Sequence, residues 1–351
     1  VDIAINEDAG LVSIPGFATA VSRGPVDEIN QALAFDLTVQ STTRSLAFSV
    51  PPTINVSGST GQLTFRTAPN TNGTAIIVAS LRDDGNGTDP HANTSTPRTF
   101  TLNVNAVNDA PFVANAVADF SLFEDSPSTH IELFPNVFND VDINAFDNDN
   151  LTLSVVNAAA LTAQGLIGTS ISQTAQSTIL TINYQPNRNG VAEVIVQAQD
   201  SFGATVQDTF TVAVRSVNDA PVIGGVSALS AAEDTLTTLS GLTVTDVDVA
   251  ETANGTMEVT FSATHGNLTV NPLIGLGISG NGSKSVVVTG SPASVAAMLA
   301  DSAGLRYLGD PDYNGPDSLV ILTSDFGNTG ILVATGMPGT LTSTSTIPLT
   351  V

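Results

Sequence analysis

The chain of 351 residues carries 33 acidic and 9 basic side chains, which give it a formal net charge of −24. A surface with this charge repels phosphate, so nucleic acid is excluded as a partner. The length exceeds that of one ordinary domain and indicates two or three. Hydrophobic residues make up 42% of the chain, which is enough for folded cores and argues against a disordered acidic tail.

Cysteine is absent, which excludes disulfides, thiolate metal sites and a cysteine nucleophile. No apolar run approaches the roughly eighteen residues of a membrane span, and no signal peptide opens the chain. The sequence starts and ends inside repeating patterns. We therefore expect a segment of a larger protein, with any export signal outside it.

Three short motifs recur in one order and divide the chain into three units. The first is Glu-Asp, at Glu7-Asp8, Glu124-Asp125 and Glu233-Asp234. The second is Pro-x-x-Asn-Gly, which begins at Pro69, Pro186 and Pro311; Asp83, Asp200 and Asp325 each follow eleven residues after its asparagine. The third is the linker Val-Asn-Asp-Ala-Pro, at 107–111 and 217–221. These motifs predict units at residues 1–110, 111–220 and 221–351.

The pattern between the motifs predicts an all-β fold. Leu151–Val155, Ile179–Tyr184 and Phe210–Val214 alternate apolar and polar side chains, as half-buried strands do. Units of this length suit antiparallel β-sandwiches in tandem. One segment is helical: Ser291 as N-cap, Pro292 at the first helical position and an alanine-rich run predict a short helix over 291–300. A glycine-rich loop at 275–282 precedes it in unit three.

The recurring acids predict metal sites. Asp140-Val-Asp142 and Asp246-Val-Asp248 place two carboxylates on one side of an extended chain. Calcium needs about six to eight oxygen ligands, more than any single motif supplies, so a site needs several segments that converge at a junction between units. Hard oxygen ligands favour Ca²⁺ over Zn²⁺ or Cu²⁺.

We predict one ligand set for each internal junction. The first set is Glu7, Asp83, Asn108, Asp109, Asp140 and Asp142, with Asp84 as a further candidate. The second set is Glu124, Asp200, Asn218, Asp219, Asp246 and Asp248. Glu233 and Asp325 form half of a further junction, and unit one has 24–28 where Asp-x-Asp is expected. Asp147-Asn148-Asp149-Asn150 lacks the glycine of an EF-hand loop and is interpreted as a solvated loop.

The order Glu, Asp-x-Asp, a separate Asp and Val-Asn-Asp-Ala-Pro resembles the cadherin repeat. It is more similar to the cadherin-like tandem repeats of large bacterial surface proteins and RTX-type adhesins. The resemblance implies an extended rod of Ig-like or cadherin-like sandwiches at the cell surface or in the extracellular space. It also implies Ca²⁺ at the junctions, neighbouring repeats of the same chain as partners, and a role as a calcium-rigidified extender or adhesion segment.

An enzyme is not expected, because His91, His130 and His265 share no metal-ligand spacing. Gly275–Gly280 matches G-x-G-x-x-G but leads into a strand, so the helix N-terminus that cradles phosphate is missing. Two alternatives remain open. In the first, unit three, which differs from the other units by its helix and glycine-rich loop, binds a glycan or a partner protein. In the second, the whole chain assembles with itself into a surface layer or filament.

Overall fold

A computed structural model describes residues 2–85, 93–143, 149–174, 176–327, 330–331, 336 and 339–351. His91, Asp147 and Asn148, considered above, lie outside these residues. The predicted all-β fold is confirmed, because the strands form paired sheets that enclose three separate hydrophobic cores along the chain. Each core consists of residues from one predicted unit, and the three groups of strands are called units one, two and three below.

Unit one is a sandwich of two sheets in the strand orders β1-β7-β6-β3 and β2-β5-β4. Its strands are β1 Asp2–Asn6, β2 Val12–Ala18, β3 Leu33–Thr42, β4 Phe48–Ser57, β5 Thr60–Thr67, β6 Gly73–Asp83 and β7 Arg98–Asn105. A short 3-10 helix spans Val26–Glu28. Alternate residues point inward, so that Leu63, Phe65, Ile77 and Leu102 are fully buried between the sheets.

Unit two repeats this arrangement with sheets in the orders β12-β15-β16-β9, β10-β14-β13 and β11-β8. Its strands are β8 Phe112–Val113, β9 Phe120–Phe123, β10 Thr129–Phe134, β11 Phe138–Asn139, β12 Thr152–Val155, β13 Ile167–Gln173, β14 Thr178–Tyr184, β15 Gly190–Gln199 and β16 Thr205–Arg215. The three segments predicted from their alternation lie in β12, β14 and β16. Their inward side chains, such as Leu180, Ile182 and Val212, are fully buried.

Unit three has the largest sheet, in the order β18-β27-β26-β21-β24-β23, with β19-β25-β22 and β17-β20 beside it. Its strands are β17 Val222–Gly224, β18 Leu229–Ser230, β19 Thr237–Thr238, β20 Thr243–Thr245, β21 Met257–Ser262, β22 Gly266–Val270, β23 Leu276–Ser279, β24 Ser285–Gly290, β25 Leu305–Gly309, β26 Pro316–Ser324 and β27 Thr342–Thr350. The segment predicted as a glycine-rich loop therefore contains β23, the edge strand of this sheet.

In each unit an early strand pairs in parallel with the last strand, whereas the remaining pairs are antiparallel. The parallel pairs are β1 with β7, β9 with β16 and β18 with β27. Their registers place Asn6 opposite Asn105 and Phe123 opposite Arg215. In units one and two the Glu-Asp motif directly follows the early strand, so Glu7 and Glu124 lie where the last strand of their unit enters the linker.

The predicted helix of unit three is confirmed as α3, Pro292–Ala300. The Ser291 hydroxyl caps it by accepting a hydrogen bond from the Ser294 N–H. Val295, Met298 and Leu299 are buried against the sandwich. The described residues also form two short α-helices, α1 Ala158–Gln164 in unit two and α2 Val247–Glu251 in unit three. Among the described residues no helix is long and apolar enough to span a membrane.

Candidate metal centres at the two junctions

The Glu-Asp and Pro-x-x-Asn-Gly motifs meet at one end of each unit. In all three units the aspartate of the first motif accepts a hydrogen bond from the backbone N–H that follows the proline of the second. These bonds join Asn70 to Asp8 (3.2 Å), Asn187 to Asp125 (3.1 Å) and Asp312 to Asp234 (3.2 Å). We call this end of a unit its lower end and the opposite end its upper end.

The aspartates that follow β6, β15 and β26 lie at the upper ends. In unit two, β15 starts at Gly190, opposite Val214 near the lower end, and runs to Gln199. Ten residues of strand span about 30 Å. Asp200, which comes next, is therefore a whole strand length from Glu124. The prediction that Asp83 joins the first junction and Asp200 the second is wrong, because it placed each aspartate at the wrong end of its strand.

The first junction brings together the lower end of unit one, the linker and the upper end of unit two. The Val107 N–H donates to Glu7 Oε1 (2.8 Å). The next residue, Asn108, donates through its side-chain amide to Asp200 Oδ2 (2.9 Å). The Asp109 N–H then donates to Asp142 Oδ2 (2.7 Å). Three consecutive linker residues are thus held by carboxylates from both units.

The second junction repeats the same three bonds. Val217 N–H donates to Glu124 Oε1, Asn218 Nδ2 to Asp325 Oδ2 and Asp219 N–H to Asp248 Oδ2, each over 2.6 Å. Asp325 therefore belongs to this junction and not to a further, incomplete one. An ion pair also crosses from unit two to unit three, between Arg188 and Glu251 (3.6 Å). Both side chains are well exposed, and such pairs contribute about 1 kcal/mol at most.

The two Asp-x-Asp segments are turns and not extended chain as predicted. Asp140 Oδ1 accepts a hydrogen bond from the Asp142 N–H (2.9 Å), as in an Asx turn. Asp246 is the N-cap of α2, and its Oδ1 accepts from the Val249 N–H (2.9 Å). In both segments one oxygen holds the turn, and the second oxygen of the same carboxylate accepts no hydrogen bond from the residues the structure describes. Both carboxylates of each pair are nevertheless buried at their junction.

Buried oxygens without hydrogen-bond partners concentrate at the two junctions. In the described ranges seven of nine such oxygens lie there: Asn108 Oδ1, Asp109 Oδ2, Asp140 Oδ2 and Asp149 Oδ2 at the first junction, and Asn218 Oδ1, Asp219 Oδ2 and Asp246 Oδ2 at the second. The other two are Gln31 Oε1 and Thr178 Oγ1. Amide and carboxylate oxygens only accept hydrogen bonds, and a buried charge without a partner is strongly unfavourable. Both junctions are therefore suited to a cation with several oxygen ligands.

A group of three buried carboxylates stands out at the first junction. One oxygen from each of Asp140, Asp149 and Asp200 lies within 4.8 Å of the other two. Oxygens bound to one calcium ion at about 2.3–2.6 Å are at most about 4.6–5.2 Å apart, so the three fit a single ion. The interpretation of Asp149 as part of a solvated loop is wrong, because only 4% of it is exposed. Its place two residues before the buried Leu151, which directly precedes β12, the strand that pairs with β15, was the signal for it.

The pKa values of the junction acids reflect this crowding. Burial, added to by nearby carboxylates, raises the pKa of Glu7, Asp109, Asp140, Glu124, Asp219 and Asp246. The same causes raise the pKa of Asp248 to about 6. Asp200 differs: burial raises its pKa, but hydrogen bonds from the Asn108 amide and from backbone N–H groups outweigh this effect and lower it. The charged form of most junction acids is thus disfavoured in the protein alone.

The remaining predicted residues lie at the two outer ends. Asp83 and Asp84 are at the upper end of unit one, where each accepts a backbone hydrogen bond, from Gly85 (2.8 Å) and Ala32 (2.9 Å) respectively. Glu233 is at the lower end of unit three and, with Asp234 and Asp312, forms an exposed group of carboxylates. Each outer end therefore carries some of the acidic residues that an internal junction brings together.

Comparisons with known proteins give one family match and several resemblances to solved structures. Residues 108–213 match the family model of the bacterial Ig domain. No curated protein sequence matches the chain. Solved structures that resemble it include human CDH23 EC21–23, with 16% identity, 99% of this chain and 97% of that chain covered, and a TM-score of 0.45. Two others are protocadherin gamma B7 domains 1–4 (18%, 100% and 74% covered, 0.39) and mouse PcdhgC3 EC1–3 (12%, 100% and 99% covered, 0.40).

Identities and TM-scores this low add no evidence for the fold, which is established by the strand pairing described above. The bacterial Ig match covers the whole of unit two apart from its outermost residues. That match confirms the predicted resemblance to bacterial Ig-like repeats for residues 108–213.

Proposed function

We propose that the chain is an extracellular extender or adhesion segment of a large surface protein, in which Ca²⁺ at the two internal junctions joins the sandwiches into a stiff rod. The observation that carries the proposal is the set of buried, unpartnered oxygens at both junctions. These oxygens belong to the linker and to the unit that follows it, and Glu7 or Glu124 of the preceding unit lies beside them. An ion bound there bridges all three.

The donor chemistry supports calcium. The residues that would hold it supply only carboxylate and amide oxygens, which hard cations prefer, and the chain contains no cysteine. The first junction offers Glu7, Asn108, Asp109, Asp140, Asp142, Asp149 and Asp200. The second offers Glu124, Asn218, Asp219, Asp246, Asp248 and Asp325. Seven side chains at the first junction and six at the second match the about six to eight oxygens that calcium requires.

The proposed mechanism is mechanical. Without a cation, carboxylates from neighbouring units repel each other and the linker flexes. With calcium, the same carboxylates become shared ligands and the angle between units is restricted. Extracellular calcium modules bind with Kd of about 10⁻⁴–10⁻³ M, and calcium at about 10 to 100 times Kd stabilises the folded state by about 1.4 to 2.7 kcal/mol per site.

The features that distinguish unit three support an extender role over a separate binding role for it. Helix α3 buries Val295, Met298 and Leu299 in the unit's own core. The glycine-rich segment contributes β23, which pairs with β24 over residues 276–279. Both features therefore complete the sandwich.

The proposal is tested by thermal unfolding in millimolar calcium and in EDTA. Calcium should raise the melting temperature of the natural chain, and the variant with Asp140→Asn and Asp142→Asn should lose a large part of that increase. Glu193→Gln is the control, because Glu193 is an exposed acid on β15 away from both junctions. Equal melting temperatures of the natural chain in calcium and in EDTA would contradict the proposal.

A further inference from the structure

The two junctions share three linker bonds but differ at one position. Thr152 pairs with Gln199 and Glu258 pairs with Ser324, so Leu151 is opposite Asp200 and Met257 is opposite Asp325. Two residues before these lie Asp149 in unit two and Gly255 in unit three. The third carboxylate of the first junction is thus replaced by a residue without a side chain at the second.

The backbone around Gly255 leaves no room for a substitute. A Cβ atom at Gly255 would lie 2.3 Å from the Val249 carbonyl oxygen and 3.0 Å from Thr252. Helix α2 passes through this space, since Val249 belongs to it. Within the part of the chain that the structure describes, no third carboxylate forms a close group with Asp246 and Asp325.

At the first junction Asp149 is oriented as a ligand. Its Oδ1 accepts hydrogen bonds from the Asn150 and Ser201 N–H groups (2.7 and 2.9 Å), which fix the carboxylate to the segment before β12 and to the turn after β15. Its Oδ2 is buried and accepts no hydrogen bond from any described residue, as is also true of Asp140 Oδ2. In each of these two carboxylates, one oxygen thus accepts backbone hydrogen bonds and the other is available to bind a cation.

A cavity of about 320 Å³ adjoins this group. It is lined by Asn108, Asp142 and Asp149, and also by Arg44 and Phe202. The cavity has room for the waters that complete the shell of a bound cation. Arg44 comes from unit one, so the cavity lies at the contact between the two units.

We propose that the first junction binds a divalent cation more tightly than the second, because Asp149 adds a third buried carboxylate to Asp140 and Asp200 where the second junction has Gly255. This inference rests on the proposed function and adds that the two junctions differ in their affinity for calcium. Affinity for calcium increases with the number of charged ligands and with the rigidity of the site. As calcium falls, the joint between units two and three loosens first, while the joint between units one and two stays stiff.

The test measures both joints separately in the full chain. Because cysteine is absent, Cys substitutions at exposed positions give unique spin-label pairs. Thr38 with Ser170 reports on the first joint, and Ser170 with Ser279 reports on the second. The width of each distance distribution is measured by pulsed EPR at stepped free calcium concentrations.

We expect the distance distribution of the first pair to narrow at a calcium concentration roughly tenfold or more below the concentration at which the second distribution narrows. Asp149→Asn should raise the first midpoint by roughly tenfold and leave the second unchanged, because asparagine keeps an acceptor for Ser201 but loses the charge. Glu193→Gln should move neither midpoint. Equal midpoints in the natural chain would overturn this inference and leave the proposed function standing. If neither pair narrowed with calcium, the proposed function would fall as well.

Discussion

Asp248 provides the sharpest test of the junction chemistry, because its effect on stability should change sign with calcium. Burial and the nearby carboxylates of Asp219, Asp246 and Glu251 raise its pKa from 3.8 to about 6. Only 4% of Asp248 is exposed, so solvent screens these effects little. A shift of about 2 pKa units corresponds to about 3 kcal/mol of differential stability.

The direction follows from proton linkage. The folded state holds the proton on Asp248 more tightly than the unfolded state does. In EDTA, this contribution to stability is fully present below about pH 4 and is lost as the pH rises through about 6. Glu124, Asp219 and Asp246 have raised pKa values and act in the same direction. With calcium the trend reverses, because calcium binds the deprotonated carboxylates.

The assay is urea unfolding of the natural chain and of Asp248→Asn at pH 4, 5, 6 and 7. In EDTA at pH 7 the asparagine variant should be more stable by about 3 kcal/mol, and at pH 4 the two should be nearly equal. In millimolar calcium at pH 7 the variant should be the less stable of the two. Glu193→Gln, which also removes one negative charge, should show neither effect. If Asp248→Asn destabilised the chain in EDTA at pH 7, the argument that the junction carboxylates repel one another without a cation would be refuted.

Two further predictions concern packing and the second junction. Met298→Ala removes a fully buried side chain on α3 and should destabilise unit three by about 2–5 kcal/mol. In calorimetry the transitions of the other units should stay in place, and an unchanged unit-three transition would show that the helix does not stabilise that core. Arg188→Gln should change stability by less than about 1 kcal/mol, because the ion pair with Glu251 is exposed, and a larger loss on urea unfolding would mean that this pair, and not the carboxylate cluster, holds the second junction.

Much of the fold follows from local sequence patterns. Alternation located β12, β14 and β16, and the Ser291-Pro292 start located α3, because burial of one strand face and helix capping are local effects. Helix α1 was missed although Ala158–Gln164 is alanine-rich and ends at Gly165, which has a left-handed φ of +68°. Helix α2 was missed because Asp246 was interpreted as part of an extended pair and not as an N-cap.

The candidate sites were predictable in composition but not in assembly. The recurring motifs identified Glu7, Asp140 and Asp142 without knowledge of the pairing. The assignment of Asp200 to a junction required the direction of β15 relative to β9, which depends on pairing between segments distant in sequence. Asp149 has no counterpart among the repeats, so recurrence alone gave it no weight.

The central claim is that calcium makes the tandem sandwiches a stiff rod. Small-angle X-ray scattering of the full chain, in millimolar calcium and then after an excess of EDTA, measures this directly through the maximum dimension and the distribution of interatomic distances. The account predicts a longer maximum dimension in calcium and a shorter, broader distribution in EDTA, with a return to the first profile when calcium is restored. Superimposable profiles in the two conditions would contradict it.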